Sequence, residues 1–167
     1  MDSTELKRMQ ASIKANYLRD PETACITLKA EGKIGEGISC KVNTGRALVE
    51  AGLHPATGGN GLLACSGDML LEALVACAGV TLSAVATAIG VEIQDGNIRA
   101  EGDLDFRGTL GVSKEAPVGF KAIRLFFAFT SNAADEQIGS LAKLTERYCV
   151  VYQTLIKGVH VQTFYDR

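Results

Sequence analysis

The sequence predicts an α+β protein, and three observations carry that reading. Segments toward both ends alternate apolar and polar residues with the period of strands. The stretch from Ser66 to Gly90 is almost wholly apolar or small, and the run DEQIGSLAKLTERYC has the spacing of an amphipathic helix. A chain of 167 residues with 47% hydrophobic content is one domain by size and can bury a core. The expectation is one domain over residues 1–167, with residues 1–20 as an N-terminal helical extension and helices covering sheet.

In chain order, residues 4–18 place Leu6, Met9, Ile13 and Tyr17 at helical spacing, and the Arg-Asp-Pro turn at Pro21 ends that helix. ACITLKAEG, GISCKV and RALVE read as a meander, with Gly32 to Gly37 turning between the first two and Asn43-Thr44-Gly45 before the third. Ala51 to Gly67 is dense in glycine and contains Pro55, so it reads as a long loop, and long loops inside compact domains tend to carry function. Ser66 can cap a helix, Asp68 suits the positive end of its dipole and Gly90 supplies a stop, which predicts a long helix from about Asp68 to Ile89. NIRAEGDLDFRG and GFKAIRLFFAFTS then alternate as a hairpin, DEQIGSLAKLTERYC is a second major helix, and HVQTFYD is a last strand.

Charge gives no argument for nucleic acid or membrane partners and is otherwise uninformative about them. A net charge of -2 and a pI near 5.7 leave no basic stripe for nucleic acid or an anionic membrane. The apolar segment is too rich in Gly, Ser and Thr, and too interrupted by Asp68 and Glu72, to read as a membrane span. Five cysteines, irregularly spaced and without a Cys-x-x-Cys pair, follow a charged N-terminus lacking an apolar core, which favours a reducing, cytoplasmic compartment. His54 and His160 each stand alone, so no metal site can be read from local spacing, and no bound cofactor is implied.

Two thiols remain to be explained. Cys77 shares a helix face with Leu70, Ala73, Leu74, Val80, Thr81 and Ala84, a setting where free cysteine commonly serves as a small hydrophobe. Small neighbours Ala76, Ala78, Gly79 and Ser83 would let another backbone approach closely. Cys149, in ERYCVVYQTL, sits where a charged helix passes into a β-branched run. If a new helical turn starts there, its free N–H groups would lower the Cys149 pKa; otherwise Cys149 packs under Val150 and Val151.

The order Thr44-Gly45-Arg46, then Gly58-Gly59-Asn60-Gly61, then DMLLEALVAC ending at Cys77, then Tyr148-Cys149-Val150 resembles the OsmC/Ohr family of hydroperoxide-reducing proteins, over roughly residues 25 to 166. The resemblance implies an OsmC-like fold, with antiparallel sheets wrapped around long central helices in an intertwined homodimer. It implies a two-cysteine peroxidase acting on organic hydroperoxides, with Cys77 peroxidatic and Cys149 resolving. Arg46 would hold the thiolate and stabilise charge on the departing oxygen, and Asp68, with Glu72 as fallback, would orient Arg46. An external dithiol reductant such as a lipoylated protein is implied as partner.

The chain departs from the family pattern in two places. Gly67-Asp68 stands where many members have Pro-Glu, and the shorter carboxylate has less reach toward Arg46; Val150 stands where proline is common after the second cysteine. Cys65 is an extra thiol near the site loop, and Cys25 and Cys40 have no role assigned. The alternative of another class is a non-catalytic dimeric binding or redox-responsive module for an apolar ligand. A cysteine hydrolase would pair Cys77 or Cys149 with His54 or His160, neither of which lies in a partner motif; His54-Pro55 reads as a turn, and Tyr148 and Tyr152 as packing.

Overall fold

The computed structural model describes residues 2–20, 31–34, 39–43, 48–111 and 113–166. Strands and helices are mixed as expected: α1 Ser3–Arg19, β1 Glu31–Ile34, β2 Ser39–Asn43, β3 Leu48–Gly52, β4 Ala64–Cys65, α2 Ser66–Ile89, β5 Asp95–Asp103, α3 Phe106–Thr109, β6 Ala122–Thr130, α4 Asp135–Tyr148 and α5 Val150–Lys157. The chain divides into two compact units. One comprises Met1–Lys7, Ala73–Arg99 and Phe126–Arg167; the other comprises Arg8–Glu72 and Ala100–Leu125.

In the first unit, the later half of α2 supplies the core. Leu74, Ala78, Leu82, Val85 and Ala86 recur every three or four residues and are buried, so they form one helix face. Leu82, Val85, Ala86, Val91 and the fully buried Leu141 of α4 pack together, flanked by Ile98, Phe127, Phe129 and Ile138. Gly90 ends α2 as the sequence predicts. Its φ of 74° is left-handed, and the Val91 N–H donates to the Ala86 carbonyl at 2.9 Å, a bond that spans the glycine and brings two apolar side chains into the same core. On β6, Ile123, Leu125, Phe127 and Phe129 alternate half-buried with exposed neighbours, and Arg99 lays its guanidinium 4.1 Å over the outward ring of Phe126.

In the second unit, β1, β2 and β3 form an antiparallel meander, with Ile34 opposite Cys40 and Cys40 opposite Ala51. Strand β4 adds to β3 in parallel, setting Cys65 opposite Gly52 and leading straight into α2. His54 caps the short 3₁₀ turn Pro55–Thr57 by accepting the Ala56 N–H on Nδ1 at 3.0 Å. A Cβ at Gly59 would lie 1.7 Å from the Leu53 carbonyl oxygen, so only glycine closes this turn. Asp105 caps α3 by accepting the Arg107 N–H.

Several expectations need correction. Residues Gly32–Ile34, expected to turn, lie in β1; its partner β2 supplies the bonds that make an EGKI segment extended. ACITLKAEG before Glu31, residues 44–47 with Arg46, and Cys25 fall outside the described residues. The expected loop to Gly67 instead contains β4, and α2 begins at Ser66. FRG is helical, because Asp105 satisfies a first-turn donor and competes with the ladder. VVYQTLIK, for which the sequence leaves a new helical turn as one of two open readings, is helix α5, where tertiary context overrides its β-branched start. HVQTFYD forms no strand: no described segment pairs with it, and Val161, Phe164 and Tyr165 stand 76%, 81% and 88% exposed. Helix α2 is long and apolar enough by composition to cross a membrane, but its buried face already belongs to the core of the first unit.

Candidate active site: a thiol pair at the start of the last helix

Cys149 is a corner residue. Its φ of -72° and ψ of 108° break helical geometry, so it serves at once as the C-cap of α4 and the N-cap of α5. Its N–H donates to the Thr145 carbonyl at 3.0 Å and its carbonyl accepts the Gln153 N–H at 2.9 Å. The Gln153 side chain braces the corner by donating to the Glu146 carbonyl at 2.8 Å. Thr145, a buried polar side chain, is satisfied by donating its hydroxyl to the Leu141 carbonyl at 2.8 Å. The corner leaves the first N–H groups of α5 without intrahelical acceptors, and they face the sulfurs.

The two thiols share these donors unequally. Burial pushes the Cys77 thiol up, but the Val151 N–H, the Cys149 thiol, the Thr81 hydroxyl and the Val150 N–H all bond its sulfur, and the balance holds it below the ordinary thiol value. For Cys149, burial also pushes up; the Tyr152 and Val151 N–H groups oppose it but lose to burial combined with the bond and charge of Cys77. Cys77 is half-buried, whereas Cys149 is 1% exposed. Cys77 is therefore the more acidic and more reachable sulfur of the two, and Cys149 the less acidic and fully buried one beside it.

This corrects one expectation. The new helical turn exists and its N–H groups pull both thiols down, but only Cys77 ends below its ordinary value; at Cys149 burial and the neighbouring Cys77 outweigh them. Neither thiol is bonded to a histidine, which removes the support for a cysteine hydrolase; His160 is exposed beyond α5. The described donors to Cys77 are uncharged, while Arg46 lies outside the described residues. Asp68 and Glu72 are both exposed, and neither forms an ion pair with another described residue. Tyr148 is 58% exposed beneath Arg147, whose guanidinium lies 5.5 Å above its ring. Sequence reasoning missed the roles of Thr81 and of the Val150 and Val151 N–H groups. Thr81 was visible one turn after Cys77 on the same face; the N–H groups depend on α5, which β-branched residues disguised.

The fold and the thiol pair define a class: an α+β protein with a mid-helix thiol activated by the start of a later helix. The family model for OsmC-like protein matches residues 59–164, and the chain belongs to that family. Its fold is similar to that of an OsmC-like protein from Mycoplasma pneumoniae, at 17% identity and a TM-score of 0.66 over 80% of this chain and 89% of that one. It is also similar to an organic hydroperoxide resistance protein OsmC from Legionella pneumophila, at 18% identity and 0.61 over 80% and 90%. The organic hydroperoxide resistance protein OhrB of Bacillus subtilis is 21% identical, with a TM-score of 0.51 over 80% and 92%. No curated protein matches by sequence.

Proposed function

We propose that the protein is a thiol peroxidase that reduces organic hydroperoxides through Cys77 and Cys149. The observation that carries this reading is that the corner between α4 and α5 brings Cys149 against Cys77, a half-buried thiol held below its ordinary value beside a fully buried one held above it. The Cys77 thiolate attacks the distal peroxide oxygen; the O–O bond breaks, the alkoxide takes a proton to leave as alcohol, and Cys77 becomes a sulfenic acid. Cys149 then attacks that sulfur, water leaves and a disulfide forms, to be reduced by an external dithiol, a lipoylated protein being the class the family implies.

In this reading Arg46 stabilises the thiolate and the departing oxygen, and Asp68, or Glu72, orients it. The protein works as a homodimer in a reducing, cytoplasmic compartment. Support for a second copy comes from the small and apolar outer surface of α2, where Val80 is 72% exposed, and from the exposed apolar tail after α5. The test is one equivalent of cumene hydroperoxide on reduced protein, followed by peptide mass mapping. The expected product is a Cys77–Cys149 disulfide formed within seconds; both thiols still free after long exposure would sink the reading.

A further inference from the structure

A second thiol, Cys65, faces a cavity of its own. The second unit holds a solvent-open cleft of about 330 Å³ between the His54 turn, β4 and α3, at the lower end of the size of small-molecule sites. Leu104, Phe106 and Phe120 make its walls apolar, and a smaller lobe of about 160 Å³ shares them and adds Asp68 and Leu71. The walls are built and not incidental. His54 stacks on Phe106 with centroids 4.9 Å apart and planes 19° from parallel. A Cβ at Gly102 would lie 2.3 Å from the Phe120 ring, so glycine there lets the ring settle against β5.

Several polar side chains border this space, Thr57, Ser66 and Thr109 and, in the smaller lobe, Asp68 among them, and Cys65 and His54 supply a nucleophile and a ring donor. Cys65 carries a half-buried free thiol on the wall. His54 already uses Nδ1 to accept the Ala56 N–H, so in the neutral ring Nε2 carries the hydrogen and is a donor. We infer that this cavity binds apolar α,β-unsaturated carbonyl compounds and that Cys65 adds to them. The ligand's oxygen accepts from His54 Nε2–H, which draws electrons from its C=C bond. The Cys65 sulfur bonds the β carbon, the π bond is consumed, and the thiol proton ends on the α carbon, so no oxidant or reductant is needed. Gly67 lies on the wall of both lobes next to Cys65, where a Cβ would stand in ordinary contact with the sulfur at 3.6 Å.

The test compares trans-2-nonenal with acrylamide, a small hydrophilic acceptor of the same reaction, on reduced full-length protein. Cleavage after Glu72 separates Cys65 from Cys77, so adducts are quantified at each thiol and the outcome is independent of the peroxidase reading. Relative to glutathione, Cys65 should favour nonenal over acrylamide by about tenfold, the effect of burying about two methylene groups. The unreactive ketone 2-nonanone should slow the nonenal reaction. His54→Phe, which keeps a ring on Phe106 but removes the donor together with the Nδ1 cap on the Ala56 N–H, should slow nonenal more than it slows acrylamide and so shrink the nonenal preference. Selectivity equal to that of glutathione, or no protection by 2-nonanone, overturns the cavity as a site; a nonenal preference that His54→Phe leaves intact overturns the carbonyl class.

Discussion

Cys149 lies beside Cys77 at the corner between α4 and α5, and there two chemically identical groups become unequal, Cys77 held below the ordinary thiol value and Cys149 above it. Both feel burial, but only Cys77 collects enough donors to outweigh it. The asymmetry is set by a single corner residue, because Cys149 both ends α4 and starts the helix whose N–H groups face Cys77.

Titration of the pair should therefore split around 9.0, the ordinary thiol value. Thiolate absorbance against pH is expected to show one step below that value and one above it. A single step of double amplitude would mean the thiols do not interact.

The same shifts predict the pH dependence of stability. Cys77 is lowered in the fold, so its contribution is present above the unfolded value and is lost as pH falls through the folded one; Cys149 is raised, so its contribution is present below the unfolded value and lost as pH rises through the folded one. Denaturant midpoints of the wild type minus those of Cys77→Ala should rise with pH toward 9.0, whereas the difference for Cys149→Ala should fall beyond it.

Thr81→Val keeps the side-chain shape but removes a hydroxyl donor from Cys77. Alkylation of Cys77 by iodoacetamide at pH 7 is expected to slow about two- to tenfold, because losing the hydroxyl donor raises the thiol pKa. Rescue by Thr81→Ser, and not by a larger apolar residue, separates the hydroxyl from packing.

Leu141 is fully buried at the centre of the first unit's core. Leu141→Ala should cost about 2–5 kcal/mol of stability, read as a lower denaturant midpoint. A change under about 0.5 kcal/mol would be the behaviour of a surface site.

Gly59→Ala tests the turn that carries His54. The added methyl collides with the Leu53 carbonyl, so backbone must move. Thermal unfolding should shift down, and the 2-nonanone protection of Cys65 should weaken with it.

Periodicity alone determined much of this protein. The long helix, its glycine stop and α4 were legible because buried faces repeat at helical spacing and Gly90 can adopt the left-handed turn. The two thiols were nameable from the order of motifs, and their roles from a family resemblance. What the tertiary structure alone decided is which sulfur the fold holds below the ordinary thiol value and which above it. That depends on where the N–H groups of α5 point, and a helix opening with two valines carries no local signal of itself. The missing last strand has the same origin: alternation shows that HVQTFYD suits a sheet, but a strand exists only when another segment bonds to it, and no described segment of this chain does.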